Sequence, residues 1–183
     1  DNVIIEASSH GLDQNRLNNL NLKAGIFTNF SQDHLDYHKT MKDYLRAKLI
    51  LFSKLLTKKS YVITDKFIKE YSILKKISKN RQLKLLDINK SVNQIKNIPE
   101  SLIGSFQAKN LSMAILAARL CNLDDAKISS VLKKIKNVDG RLELVRKYPN
   151  NIRIFIDYAH TPDALQEVIK SLKKTYNNKI SLV

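Results

Sequence analysis

The sequence predicts an α/β fold built on a doubly wound, mostly parallel sheet, and three observations carry that prediction. Residues 3–5, 24–28, 61–64 and 83–86 are short continuous apolar runs, the pattern of strands buried on both faces. Segments of helical period lie between them, so strand and helix alternate. Polar clusters rich in Asp, Glu and His follow the first two runs directly, at the carboxyl ends of the strands, where open α/β sheets bind ligands.

Taken in order, Val3, Ile4 and Ile5 form the first run, and Glu6, Ala7, Ser8, Ser9, His10 and Gly11 turn away from it. The second run, 24–28, ends at Asn29 and delivers Asp33, His34, Asp36 and His38 to the same sheet edge. A helix then carries Met41, Tyr44, Leu45, Leu51, Phe52 and Leu55 at three- and four-residue spacing, with Lys48 inside the same stripe, although Leu49 and Ile50 blur it. A lysine there must snorkel, find an anionic partner or lose its proton. A neutral buried amine can also take up carbon dioxide as a carbamate, an added acid able to hold a metal. Arg16 offers a guanidinium fork suited to phosphate or carboxylate.

The third and fourth runs, 61–64 and 83–86, flank a basic helix expected over 66–77, and beyond Asp87 the sequence turns polar and weakly periodic. Asn110 reads as the N-cap of a helix over 111–120. Asp124 caps another, with Ile128, Val131, Leu132 and Ile135 on one face. Gly140 permits a hinge or tight turn in a linker over 137–141. Residues 152–156 are a further strand, after which Thr161, Pro162 and Asp163 supply the cap, first position and favourable charge of a helix N-terminus.

Composition fits a globular domain: 43% of the 183 residues are hydrophobic, with four glycines and three prolines. The net charge of +15 raises nucleic-acid binding as a candidate. The lysines are spread in pairs such as Lys75-Lys76, Lys133-Lys134 and Lys173-Lys174 along solvated helix faces, so no nucleic-acid partner is expected. One cysteine, Cys121, excludes an internal disulfide and reads as a buried thiol. No apolar run approaches the roughly 18 residues of a membrane span, and no signal peptide opens the chain. No membrane association and a cytoplasmic location are therefore expected. The chain opens without methionine and stops inside an apolar run, which is expected of an internal fragment of a longer protein.

Several stretches together resemble one family. TNFSQDHLDYHKTMKDYLRAKLILF (28–52) is similar to the central-domain signature of the Mur ligases, in particular the type that acts on a UDP-N-acetylmuramoyl dipeptide. EASSHGLDQNR (6–16) resembles EVSSHGLxxxR, with alanine for valine; GSFQAKN (104–110) resembles GxFNxxN, with Gln107 where asparagine is usual. VDGRLE (138–143) resembles the GRME segment, and DYAHTPDAL (157–165) is close to the same family's motif rather than to that of the related folylpolyglutamate synthases.

The resemblance implies a P-loop-type doubly wound central ATPase domain over 1–138, lacking its phosphate loop, followed by the start of a Rossmann-like C-terminal domain over 139–183. It implies an ADP-forming acid–amino-acid ligase of peptidoglycan precursor synthesis. That enzyme adds meso-diaminopimelate or L-lysine to UDP-N-acetylmuramoyl-L-alanyl-D-glutamate through an acyl phosphate. ATP and two magnesium ions are the implied cofactors. Glu6, His34 and a carbamylated Lys48 would be metal ligands, with Lys48 and His34 also catalytic. Ser8, Gln14 and Arg16 would hold the UDP-muramoyl-peptide; Gln107, Asn110, Arg141, Asp157 and His160 would hold ATP, with Gln107 at the adenine. A monomer is expected, inactive as this piece alone. Other ligases of the superfamily, such as folylpolyglutamate synthase, or a basic nucleic-acid-binding module, remain alternatives on the sequence.

Overall fold

The computed structural model describes residues 2–92, 99, 102–176 and 179–183, the side chains of 91 and 92 apart. The elements run α1 (Ser9–Asp13), β1 (Ala24–Phe27), α2 (Leu35–His38), α3 (Met41–Ile50), β2 (Tyr61–Thr64), α4 (Tyr71–Arg81), β3 (Lys84–Asp87) and α5 (Asn89–Val92). They continue with α6 (Ser105–Leu120), α7 (Asp125–Leu132), β4 (Glu143–Lys147), β5 (Arg153–Ile156) and α8 (Pro162–Tyr176).

Strands β1, β2 and β3 form a parallel sheet in that order, with Ala24 opposite Tyr61 and Tyr61 opposite Lys84. Parallel neighbours need crossover connections, which α3 and α4 supply. Successive side chains of a strand point to opposite faces, and β2 shows it: Val62 joins Phe27, Phe52, Leu56 and Leu74 in one core, while Ile63 joins Ile88 and Met113 of α6 in another. The sheet is thus covered on both sides, as the continuous apolar runs predict. At Gly25 the backbone of β1 approaches the helical layer so closely that a Cβ would stand 2.9 Å from the Phe52 ring.

Helix α3 does not simply end. Residues Leu51–Leu55 widen into a π-turn, closed by the Leu56 amide donating to the Leu51 carbonyl at 2.9 Å. One extra residue in the turn rotates the positions after it, and so Leu56 reaches the core beside Leu49, Leu51 and Phe52.

Several expectations need correction. Residues 3–5 form no strand: they pair with none of the described strands, and Val3 and Ile4 are 81% and 93% exposed. The basic helix starts at Tyr71 rather than 66, because the Asp65 carboxylate accepts the Phe67 amide at 2.9 Å and holds the chain in a local turn. Asn110 is not an N-cap, since α6 already begins at Ser105 after Gly104, whose φ of +95° only glycine adopts readily. Val131 is 55% exposed, because α7 packs inward only through Ile128 and Leu132. Cys121 is partly exposed rather than buried.

Strand β4 is additional: its sequence, Glu-Leu-Val-Arg-Lys, has no buried face, and it exists by antiparallel pairing with β5. The expected polar stretch after Asp87 falls largely outside the described residues. Asp124 caps α7 by accepting the Lys127 amide, as expected. Among the described residues, no helix is long and apolar enough to cross a membrane.

Candidate functional site

Two groups of side chains gather at element ends. The first joins α1 to the segment leading into α3. Ser8 caps α1, its hydroxyl accepting the Gly11 amide at 3.1 Å. That short helix carries His10 onto the loop after β1, where its ring lies 5.0 Å from His34, 4.2 Å from Tyr37 and 5.4 Å from His38. Gln14 and Arg16 come next: Arg16 donates to the side-chain Oε1 of Gln14 at 2.6 Å, and the Gln14 side-chain amide donates to the Tyr37 hydroxyl at 3.4 Å. Tyr37 in turn donates to Asp13 at 3.0 Å.

His34 sits in the left-handed region at φ 53°, with its own amide donating to Asp33 Oδ1 at 2.8 Å. Tyr44 is the hub of the group. Its ring stacks on His38 at 5.3 Å, meets His34 edge-on at 5.6 Å and packs on Phe30 at 4.9 Å.

Lys48 extends along the same helix face, one turn on. Its Nζ lies 5.2 Å from the Tyr44 ring centre and 5.8 Å from that of Phe27, and donates to the Tyr44 hydroxyl at 3.4 Å. Burial lowers the Lys48 pKa from its ordinary value, against the pull of Asp33 and Glu70. Burial and the nearby His10 likewise hold the His38 imidazole below 6.5. Its Nε2 has no hydrogen-bond partner among the described residues. The predicted residues Ser8, Gln14, Arg16, His34 and Lys48 are therefore gathered through His10, Tyr37 and Tyr44. The sequence reading placed Tyr44 on a buried helix face and His10 in the polar cluster after residues 3–5 but gave neither of them nor Tyr37 a part in the site, although Tyr37 within DHLDYH and Tyr44 one helix on were a usable signal. Glu6 lies exposed on an irregular segment outside these contacts.

The second group surrounds the turn before β4. Gln107 of α6 is buried, and its amide donates to Asn137 Oδ1 at 3.2 Å and to the Arg141 carbonyl at 3.4 Å. Asn137 donates to the carbonyls of Arg141 and Leu142 at 2.6 and 2.9 Å. From the end of β5, Asp157 accepts the Leu142 amide at 2.7 Å and the Ala159 amide at 2.7 Å. The Arg141 guanidinium lies 5.3 Å over the Tyr158 ring, and His160 Nδ1 is 2.9 Å from the Tyr158 carbonyl oxygen. Asn110 is exposed on α6, apart from this network.

A third feature went unread in the sequence. Asp65, at the carboxyl end of β2 and 1% exposed, lies 2.6 Å from the Lys109 ammonium of α6 and also accepts from the Asn89 amide at 2.7 Å. Burial alone raises its pKa, yet Lys109, the Phe67 amide and Asn89 outweigh burial and hold it below the ordinary 3.8. An acid placed directly after a buried apolar run was the signal.

Comparison with known proteins finds relatives over the whole chain. The family described as Mur ligase middle domain matches residues 1–118, and that described as Mur ligase, glutamate ligase domain matches 140–183. A Rickettsia bellii protein named UDP-N-acetylmuramoyl-L-alanyl-D-glutamate--2,6-diaminopimelate ligase is 41% identical over 100% of this chain and 43% of its own length. A Leptospira interrogans protein of the same name is 34% identical over 93% of this chain and 39% of its own. The chain thus spans about two fifths of the curated relatives it matches.

A solved structure of a ligase of that name superposes with a TM-score of 0.67 at 29% identity, covering 91% of this chain and 39% of the other. Folylpolyglutamate synthase from L. casei shares the fold, with a TM-score of 0.64 at 17% identity over 89% of this chain and 45% of the other.

Proposed function

The chain belongs to the Mur ligase family, and from that premise we propose that it is the central part of an ATP-dependent ligase that extends UDP-N-acetylmuramoyl-L-alanyl-D-glutamate by one diamino acid. The observation that supports this most is Lys48, a desolvated amine held against Tyr44 beside His34. We infer a division at 138/139 between the ATP-binding domain and the start of the next, and a cytoplasmic site of action.

The reaction needs charge neutralisation and alignment more than covalent help. A carboxylate oxygen of the D-glutamyl residue attacks the γ-phosphorus, and ADP leaves. The amine of the diamino acid then attacks the acyl carbon, loses a proton and expels phosphate. Gln14 and Arg16, braced by Tyr37 and Asp13, present amide and guanidinium donors to the anionic acceptor. Ser8 Oγ faces the same turn while capping α1. Asp157 would accept from a ribose hydroxyl, and Arg141 and His160 would face the phosphates.

Among the described residues, no group of three or more His, Cys, Asp or Glu side chains could hold a metal ion. A donor set this sparse suits magnesium, which keeps waters and phosphate oxygens among its ligands. Glu6 would hold one magnesium ion and His34 with a carbamylated Lys48 a second, and bound magnesium would screen the phosphate charge. The lowered Lys48 pKa favours the neutral amine that carbamate formation requires. In the full-length enzyme Lys48→Ala is expected to remove most activity, about a hundred-fold or more, with partial rescue by added short carboxylates. Full activity after that substitution would contradict the carbamate role.

A further inference from the structure

The family resemblance assigns Gln107 to the adenine, but its hydrogen bonds point elsewhere. The Asn137 side-chain nitrogen faces two carbonyls, those of Arg141 and Leu142, at 2.6 and 2.9 Å. Carbonyls only accept, so this nitrogen must be the donor end and Asn137 Oδ1 must turn the other way. That oxygen accepts the Val138 amide at 3.0 Å and faces Gln107 at 3.2 Å. Gln107 must therefore present its own nitrogen, which also reaches the Arg141 carbonyl at 3.4 Å. The network fixes both amide orientations, and both donor positions of Gln107 are occupied. Bidentate reading of the adenine edge by an amide takes a donor and an acceptor together, so Gln107 could read the base in that way only by releasing this turn.

The turn it holds is otherwise built from specific contacts. Leu142 is fully buried at φ 49°, in the left-handed region, and its amide is fixed by Asp157. The Tyr158 amide donates to the Gly140 carbonyl at 2.8 Å, and the Gly140 amide to Glu143 at 2.7 Å. One hydrogen-bonded path thus runs from α6 through Gln107, Asn137 and Leu142 to Asp157.

Building on the ligase reading, we propose that Gln107 and Asn137 form a clasp that positions Arg141 and Asp157 for ATP, rather than a device that reads the base. Neither is then a catalytic residue; both act through the turn they hold.

The test uses the full-length ligase with Gln107→Ala, Asn137→Ala and the double variant, assayed with ATP and with inosine triphosphate, whose base edge has lost the exocyclic amine. A clasp predicts that each single variant lowers kcat about ten-fold, with the ATP-to-inosine-triphosphate preference unchanged and the double variant no worse than either single. It also predicts faster trypsin cleavage after Arg141 in Asn137→Ala, a readout independent of activity. Loss of base preference in Gln107→Ala, with Asn137→Ala behaving as wild type, would overturn the clasp, as would unchanged trypsin cleavage. A wild-type protein without ligase activity would overturn the functional reading instead, while the cleavage rates would still decide on the clasp.

Discussion

At the scale of single residues, the aromatic hub around Tyr44 makes the site a place where burial and charge oppose each other. His38 is 6% exposed, stacked on Tyr44 and held below 6.5 by burial and His10. Between its lowered folded pKa and 6.5 the unfolded chain binds a proton that the folded chain does not, so stability falls as pH falls through that window. We expect the urea midpoint of the full-length protein to drop between pH 7.5 and 5.5, and the drop to shrink in His38→Phe, which keeps a ring against Tyr44. An equal drop in the variant would assign the acid sensitivity to another group. The sequence made His34 and Lys48 legible through their company of acids and apolar positions. It did not reveal that Tyr44 connects them, because a tyrosine at helical spacing reads first as core.

At the scale of elements, α6 is tied to the sheet edge by one buried charge pair. Lys109 is 46% exposed while Asp65 is 1% exposed, so the two sides of the pair are not equivalent. Replacing Lys109 by Met leaves Asp65 buried with only the Phe67 amide and Asn89 to hold its charge. That should cost about 1–3 kcal/mol, below the roughly 3–5 kcal/mol of a fully buried pair, with Lys109→Arg close to wild type in chemical denaturation. A cost near zero for Lys109→Met would show that the two remaining donors suffice.

The paired elements β1, β2 and β3 were legible as apolar runs, and α7 and α8 through their caps. The rest was hidden for physical reasons. Residues 3–5 have a strand's composition but no partner among the described strands. The π-turn after α3 has no composition of its own, and β4 is a strand by pairing alone.

At the scale of the whole molecule, a parallel sheet covered on both faces brings its loops to one edge, where His34 and Asp65 follow β1 and β2. The fold class was readable because buried parallel strands leave continuous apolar runs. The hydrogen-bonded path from Gln107 to Asp157 was not, because it depends on a contact across thirty residues of sequence.

The decisive assay gives the purified full-length protein ATP, magnesium, UDP-N-acetylmuramoyl-L-alanyl-D-glutamate and either meso-diaminopimelate or L-lysine, and records phosphate release and product mass together. A diamino-acid ligase releases one phosphate per amide bond formed, only when the dipeptide acceptor and one of the two diamino acids are both present. Phosphate release indifferent to that acceptor, or amide formation only with a folate acceptor and glutamate, would contradict the proposed function.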